Sequence, residues 1–268
     1  MDKFNKDLIF KSNVKIFDAH AHYDDDEFDS DRDELIGELK KNNVIGVLNC
    51  GCSLKGSEDS VKLAQKYDFF YAAVGIHPEY ADKFDKNQED ILRRLASYDK
   101  VRAVGEIGLD YYYDENPDRD IQKKVFIRQM KLAEKLGLPV IIHDRDAHED
   151  TLNIVKSFPN VKGEIHCFSG SVESAREYLK LGYYLGFTGV VTFKNAKKTI
   201  QVLKEVPIDR ILVETDCPYM TPAPYRGKRN MSAYIYYIMD KIAEVKEIPI
   251  EEVSLNTILN IRNLLNLR

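Results

Sequence analysis

The chain has 268 residues and a formal net charge of −5 at pH 7, and 44% of its residues are hydrophobic. This apolar content is enough to bury a large core, so it excludes a disordered or collagen-like chain. The slight acidic balance excludes a uniformly basic surface that grips duplex DNA through its phosphates. The length suits one α/β barrel of roughly 250 residues, so we predict a single domain over residues 1–268.

The start of the chain and its cysteines indicate the compartment. Residues 1–13 mix charges with isolated apolar residues and lack the continuous apolar core of a signal peptide, so we interpret them as a short leader. No later run is long and apolar enough to span a bilayer, and the four cysteines form no CxxC pair. We therefore expect reduced thiols, a cytoplasmic location, no membrane contact and no obligate protein partner.

Short β-branched and aliphatic runs alternate with longer charged segments of helical periodicity along the chain. The predicted strands cover 14–19, 44–49, 69–75, 101–106, 138–143, 161–166, 183–187 and 210–215. The predicted helices between and after them cover 31–41, 57–66, 88–97, 119–136, 147–157, 172–181, 195–204 and 230–246. Eight such repeats predict the α/β class and a single (β/α)8 TIM barrel, with an additional C-terminal helix near 251–265.

Histidines and acidic residues stand at or just after the ends of five predicted strands. His20 and His22 close the first strand in FDAHAH, and residues two apart on an extended chain point to the same side. Four more such residues end later strands, namely Glu106 in VGEIGLD, His143 in VIIHDRD, His166 in GEIHCFSG and Asp216 in VETDCPY. Because parallel strands end at one face of a barrel, we expect all six side chains to meet there.

A shared metal site explains this pattern better than six unrelated residues do. One histidine at a strand end is more often a hydrogen-bonded core residue than a ligand, but four of the six histidines in the chain occupy such positions. Buried carboxylates are also costly without a cation or a partner. Imidazole and carboxylate ligands without thiolate suit one or two divalent cations, with Zn, Mn, Mg, Co and Ni left open.

The combined motifs resemble a known family. The segments FDAHAHYD, VGIHPEYA, AVGEIGLDYYYD, LPVIIHDRDA, GEIHCFSGS and LVETDCPYMTPAPYRGKRN follow one another in the order typical of the TatD-type metal-dependent hydrolases, the TatD DNase family. The resemblance covers nearly the whole chain and implies a (β/α)8 barrel with a one- or two-metal centre and nuclease-like phosphodiester hydrolysis. It departs from the family at the start, where members usually have a DTHCH-like motif and this chain has DAHAH after its leader.

The resemblance also implies roles for the six residues. It implies that one metal is held by His20, His22, Glu106 and Asp216, and that Glu106 is shared with a second metal held by His143 and His166. Glu106 and Asp216 are therefore the candidate catalytic residues. Glu106 could bridge two ions, whereas Asp216 could ligate a metal or accept the proton of the attacking water, and the sequence leaves both roles open.

Two further residues are candidates for substrate binding. The resemblance and the position of His77 in GIHPEYA favour a contact with substrate phosphate, while the alternative is a loop histidine bonded to a backbone carbonyl. Arg226 lies on a Pro-rich loop after the last strand. Its planar guanidinium can pair with two phosphate oxygens, which suits it to clamp the scissile group.

Several neighbours of the candidate ligands carry weaker expectations. Cys167 and Cys217 should face away from the cluster, because adjacent strand residues point to opposite sides. Asp110 and Asp144 are candidates to orient the ligands. The tyrosines at 111–113 could stack on bases, and a core or turn role is equally open.

The leading functional hypothesis is a metal-dependent phosphodiester hydrolase that acts on DNA ends or single strands through a metal-activated water. A second hypothesis is an amidohydrolase that opens a small amide or lactone on the same metal site. Dinuclear members of that wider group often have a carboxylated lysine at the end of the fourth strand, where this chain has Glu106. A third is a non-catalytic scaffold whose histidine cluster is structural.

Overall fold

The computed structural model describes residues 14–267, so the predicted leader at 1–13 lies outside the described residues. Within that range the chain forms one parallel sheet whose eight strands pair in chain order. The strands are β1 Ile16–Ala21, β2 Val44–Cys50, β3 Phe70–Val74, β4 Val101–Asp110, β5 Val140–Arg145, β6 Gly163–Ile165, β7 Tyr184–Phe187 and β8 Ile211–Val213.

The sheet closes nearly into a ring where β1 meets the segment that follows β8. Ala21 bridges Cys217, and the Asp216 amide donates a 2.9 Å hydrogen bond to the His20 carbonyl. Closure removes the free sheet edges that would otherwise need protection. The predicted (β/α)8 barrel is therefore confirmed.

Helices alternate with these strands. They are α1 Arg32–Lys41, α2 Leu54–Lys66, α3 Lys86–Leu95, α4 Arg119–Leu136, α5 His148–Lys156, α6 Val172–Lys180, α7 Lys197–Glu205, α8 Ile235–Lys246 and α9 Ile250–Leu264. The predicted end of α4 matches its C-cap, where Gly137 has a φ of 64°. Glycine takes this left-handed conformation without the steric cost of a Cβ.

The helix predicted over 230–246 begins five residues late. A short 3-10 helix, Ser232–Tyr234, precedes α8, and Asn230 is held in the loop before it. The Asn230 amide donates to the carbonyls of Thr215 at 2.9 Å and Tyr219 at 2.6 Å. These bonds hold the loop against the end of β8. The predicted helix start at 230 is therefore wrong, because Asn230 is buried in a loop and not in a helix.

The additional C-terminal helix α9 covers the amino ends of the strands. The Ser254 hydroxyl donates to the carbonyl of Lys15, just before β1. The Asn260 amide donates to the carbonyl of Ile211 at the start of β8. Apolar residues of α9 and its end join strand residues in one cluster, which includes Phe17, Leu48, Ile141, Leu212, Ile261, Leu264 and Leu265. The opposite, carboxyl-end face is left for the functional site.

The remaining expectations concern the chain as a whole. Among residues 14–267 no helix combines the length and apolar character that a bilayer crossing needs. The four cysteines are free thiols, as expected. The single domain over 1–268 and the cytoplasmic location stay predictions.

Candidate metal centre

The structure brings the six candidate ligands together at the carboxyl-end face. β1 carries His20 and is followed by His22, β4 carries Glu106, and β5 carries His143. His166 and Asp216 lie just after β6 and β8, respectively. The pairing of β1 with β2 shifts register between Asp18 and Ala21, an irregularity of the kind that re-aims side chains near active sites.

Four of these residues form a first group. The Nε2 atoms of His20 and His22 are 3.0 Å apart. Glu106 Oε2 lies 3.3 Å from His20 Nε2 and 3.6 Å from His22 Nε2. Asp216 Oδ1 lies 3.3 Å from His22 Nε2 and 3.9 Å from His20 Nε2. The ligand atoms of His20, His22 and Asp216 lie within 4.8 Å of one another, a spacing that allows them to share one ion at about 2.0–2.2 Å.

Glu106 also contacts His143, whereas His166 lies beside His20 and Asp216 of the first group. The other carboxylate oxygen of Glu106, Oε1, lies 2.9 Å from His143 Nδ1. His166 stacks on His20 with ring centroids 3.6 Å apart, and its Nε2 lies 3.7 Å from Asp216 Oδ1. Glu106 thus presents one oxygen to the first pair of imidazoles and the other oxygen to His143.

Hydrogen bonds behind the rings set two of the imidazole tautomers. His22 Nδ1 lies 2.8 Å from the carbonyl of Cys50, which can only accept, so Nδ1 carries a proton and Nε2 is the nitrogen that faces the site. His166 Nδ1 lies 2.8 Å from Glu214 Oε2 and is set in the same way. Such outer hydrogen bonds fix ring orientation at metal sites and raise ligand basicity.

Glu214 is one of two acidic side chains buried beneath the site. Burial and then the neighbouring Glu214 carboxylate raise the pKa of Glu164 well above its usual range. We place the shared proton on Glu164, which leaves Glu214 to accept from the Cys167 amide at 2.6 Å and from His166.

The ring of His143 lies between two carboxylates, one at each nitrogen. Its Nε2 faces Asp110 Oδ2 at 3.1 Å, and its Nδ1 faces Glu106 Oε1 at 2.9 Å. Burial lowers the pKa of His143, but hydrogen bonds to the Asp110 and Glu106 carboxylates outweigh it and raise the pKa to about 9. A proton or a cation therefore lies between Nδ1 and Glu106. Divalent cations fit this arrangement of inward lone pairs and carboxylates.

The charge states of the central groups suit metal binding. Burial raises the pKa of Glu106, but His20 and the other imidazoles outweigh burial and hold it well below its usual range. Burial together with the nearby His166 lowers the pKa of His20 to about 4. Glu106 is thus an anion and His20 a neutral donor. His20, Glu106 and His166 are one of four clusters, among residues 14–267, whose ligand atoms lie within 4.8 Å of one another.

His77 reaches the centre from the loop after β3. Its Nδ1 accepts a 3.2 Å bond from the Glu79 amide, and its Nε2 lies 4.0 Å from Glu106 Oε1. The ring stands edge to face with His143 at 4.4 Å. Burial and then His143 lower the pKa of His77 to about 3, so the ring is neutral with its proton on Nε2. The alternative interpretation was a hydrogen bond from His77 to a backbone carbonyl. His77 Nδ1 instead accepts from a backbone amide.

Arg226 lies apart from the six ligands. It is exposed, and its guanidinium carbon is 4.2 Å from the ring centroid of Phe193. It lines a cavity that is separate from the two cavities at the centre and is reached across Tyr219 and Met220. Arg229, three residues later, donates two hydrogen bonds to the Asp31 carboxylate, so its guanidinium has a structural role.

Two cavities meet at the centre. One, of about 260 Å³, is walled partly by Phe168, Phe187 and Met220. The other, of about 330 Å³, is lined by the acidic side chains of Asp24 and Asp25 among others. Both include His143, His166 and Asp216 in their walls, so a substrate at the centre has an apolar side and an acidic side.

Two cysteines differ from expectation. The prediction for Cys167 is wrong, because it lines the same cavity as His166. β6 ends at Ile165 and Cys167 has a φ of 45°, so strand alternation no longer applies there. Cys52, which sequence reasoning missed, places Sγ 3.4 Å from Glu106 Oε2. Its position just after β2, at the face where the other ligands lie, is the signal that could have found it.

The other neighbours are partly as expected. Cys217 is fully buried in the core cluster, away from the cavities. Asp110 contacts His143 and so orients a candidate ligand. Asp144 instead lies 2.9 Å from His148 Nδ1 and supports the start of α5.

The comparison with known proteins decides the family. The family model for TatD-related DNases matches residues 17–266. The chain belongs to the TatD family. The resemblance drawn from its motifs is thereby confirmed, and the chain is a metal-dependent hydrolase of this family.

Individual TatD relatives agree along almost the whole chain. The chain is 45% identical to the uncharacterized metal-dependent hydrolase YabD of Bacillus subtilis, covering 93% of this chain and 98% of that protein. It is 34% identical to the 3'-5' ssDNA/RNA exonuclease TatD of Cronobacter sakazakii, covering 85% and 89%. The crystal structure of the Escherichia coli TatD homologue YjjV has a TM-score of 0.89 at 29% identity, covering 94% and 98%.

Proposed function

We propose that this TatD-family hydrolase cleaves phosphodiester bonds of nucleic acid, and that it acts on DNA at single-stranded or frayed ends. The observation that carries the proposal is the position of Glu106, whose two oxygens face His20 and His143 at 3.3 and 2.9 Å. A carboxylate that presents its two oxygens to different imidazoles can bridge two cations about 3.5–4 Å apart, the spacing used in two-metal phosphodiester cleavage. The relative named as an ssDNA/RNA exonuclease supports this substrate class.

We assign two divalent cations to the centre. His20, His22, Glu106 and Asp216 would hold one, and Glu106 with His143 and His166 would hold the other. When bound, such cations polarise the phosphoryl group and activate water as a nucleophile. The protein contributes ligands whose rings are already oriented by Cys50, Glu214 and Asp110.

Asp216 is the group we assign to the attacking water. Burial raises its pKa, but His166 and the other imidazoles outweigh burial and hold it below the usual range, so it is a carboxylate at neutral pH. Its φ of 56° places it in the left-handed region, which is uncommon for a non-glycine residue and concentrated at functional sites. The carboxylate can ligate a metal and accept the proton of the water from the same position.

His77 and Arg226 are assigned to the substrate. The neutral His77 ring presents an Nε2–H donor at the rim of the centre, where it can bond to a phosphoryl oxygen. Arg226 can pair with phosphate through its planar guanidinium. Because its cavity lies beyond Tyr219 and Met220, we place it on a phosphate near the scissile one along the strand.

Metal analysis followed by cleavage assays tests the proposal. Purified protein loaded with Mn, Zn, Mg, Co or Ni should bind about two ions and cleave end-labelled single-stranded DNA faster than duplex. The Glu106→Gln variant keeps the shape of the side chain and removes its charge, so it should lose about a hundredfold or more in kcat. Circular dichroism and thermal unfolding of this variant verify that it is folded.

Three outcomes would count against the proposal. Turnover of small amides or lactones without phosphodiester cleavage would favour the amidohydrolase reading. No turnover of any substrate class with any metal, or unchanged biological activity of the His20→Ala, His22→Ala double variant in cells, would favour a scaffold. Cell fractionation tests the predicted cytoplasmic location.

A further inference from the structure

An exposed aromatic cluster borders the metal centre. We call Tyr112, Tyr113 and Arg145 the stacking platform. The two tyrosines are 54% and 49% exposed, and their rings stand edge to face at 4.8 Å. The Arg145 guanidinium carbon lies 4.0 Å from the Tyr112 ring centroid and 4.8 Å from that of Tyr113. Arg145 also donates to the Tyr113 hydroxyl at 3.2 Å.

The preceding tyrosine shows what a structural role looks like in this loop. Tyr111 is less exposed than the two tyrosines that follow it. Its hydroxyl donates to Asp150 at 2.8 Å, and the Arg119 guanidinium lies 4.4 Å from its ring centroid. Tyr112 and Tyr113 keep about half of their surface in solvent instead. Large exposed aromatic surface held by a cation is typical of recognition sites rather than of folding.

The stacking platform is joined to the metal centre on both sides. Arg145 lies two residues after His143 on β5 and lines the same cavity as His143, His166 and Asp216. The Tyr112 amide donates to Asp110 Oδ1 at 2.9 Å, and Asp110 Oδ2 contacts His143 Nε2. The stacking platform therefore stands at the rim of the cavity that a strand with its phosphate at the centre would enter.

The local charge selects which part of a strand binds there. Asp114 and Glu115 follow directly after the platform and are exposed, so they repel phosphates. The rings offer flat faces, and base stacking on such faces tolerates any sequence. In a duplex the base faces are covered by neighbouring pairs, so only unpaired bases can stack.

We propose that the stacking platform binds unpaired bases of a nucleic-acid strand entering the metal centre, and so gives the enzyme its preference for single strands. The inference rests on the proposed phosphodiesterase function for the chemistry at the centre. Binding by the platform, however, is measurable without cleavage.

Fluorescence anisotropy with a labelled oligothymidylate tests the platform. Chelator in the buffer prevents cleavage, and the Tyr112→Ala, Tyr113→Ala double variant is compared with wild type. Each stacked base contributes about 1–3 kcal/mol, so the double variant should bind about 5- to 150-fold more weakly if it loses one stacked base. The Tyr112→Phe, Tyr113→Phe variant retains both rings and should bind like wild type.

Two controls separate stacking from other effects. Tyr98 is 46% exposed but precedes β4, at the amino-end face, so Tyr98→Ala removes similar aromatic surface without changing affinity. An abasic strand carries the same phosphates without bases, and wild type and double variant should bind it equally.

The outcomes distinguish the two proposals. Equal oligothymidylate binding by wild type and double variant, or an equal loss for the abasic strand, would overturn the platform while leaving the phosphodiesterase intact. If wild type cleaves no nucleic acid, the proposed function fails whatever the platform binds. In the metal-loaded enzyme we expect the double variant to raise KM for single-stranded DNA, keep kcat on a small aryl phosphodiester, and lose the preference for single strands over duplex.

Discussion

The two ends of the barrel differ in kind. At the amino end, α9 covers the strands with apolar side chains and with polar groups such as Ser254 and Asn260 that bond to backbone carbonyls. At the carboxyl end, imidazoles and carboxylates are buried against one another, and two cavities open between them. The buried polar groups that lower the free energy of unfolding thus lie at the carboxyl-end face. The apolar packing that raises it lies at the amino-end face. Substitutions at the two ends should therefore have opposite effects.

The largest effect is expected from Asp216→Asn. The variant lacks the carboxylate that we propose as the proton acceptor, so kcat should fall about 10²- to 10⁴-fold. Steady-state kinetics with thermal unfolding measures both quantities. Residual activity near that of wild type would remove Asp216 from the chemistry, and a collapse of the melting temperature would contradict the division of roles between the faces.

Ile261→Ala should have the reverse effect. Ile261 is 1% exposed in the cluster that α9 forms with the strands, so the cavity left behind costs about 2–5 kcal/mol of unfolding free energy. Denaturant titration measures this loss, while kcat per folded molecule should stay that of wild type. Exposed Leu259 on the same helix provides a matched control, since Leu259→Ala removes little buried surface.

Asp110→Asn should weaken the site without dismantling it. Asp110 holds His143 through Nε2, and loss of such an outer partner lowers metal affinity about 10- to 100-fold. Competition with a chromophoric chelator measures the affinity. Asp144→Asn, next to His143 but bonded to His148, should leave metal affinity unchanged. Equal losses in both variants would show a general charge effect instead of ligand orientation.

The smallest effect is expected at His148. The hydrogen bond to Asp144 raises the pKa of His148, against the lowering effect of burial. A raised folded-state pKa contributes stability that is full below the unfolded value near 6.5 and is lost as pH rises through the folded value. His148→Gln should therefore reduce unfolding free energy by less than about 1 kcal/mol at acidic pH, since the side chain is 35% exposed, and by nothing at alkaline pH. Urea titrations at both pH values measure the difference, and an equal loss at the two would exclude the ion pair.

Much of the fold and of the candidate site could be predicted from local pattern. The eight strands lie where the apolar runs lie, and the predicted bounds of α4 match those observed. His20 and His22 were expected on one side of an extended chain, and their Nε2 atoms are 3.0 Å apart. Their roles as metal ligands stay a prediction, as do those of Glu106, His143, His166 and Asp216.

Other features had no local signal. The side of Cys167 was predicted wrongly because its backbone leaves the strand. Arg226 follows the last strand in sequence, yet Tyr219 and Met220 separate its cavity from the centre. Each depends on how loops from distant parts of the chain pack together.

Residue spacing and periodicity were sufficient for the barrel and for the residue types at its carboxyl end, because strand geometry acts over a few neighbouring residues. Closure of the ring decided that Glu106 stands between His20 and His143, that Asp110 holds His143, and that Arg145, whose guanidinium covers Tyr112, lines the cavity at the centre. These distances join side chains far apart in the chain, and only the register and packing of the closed sheet set them.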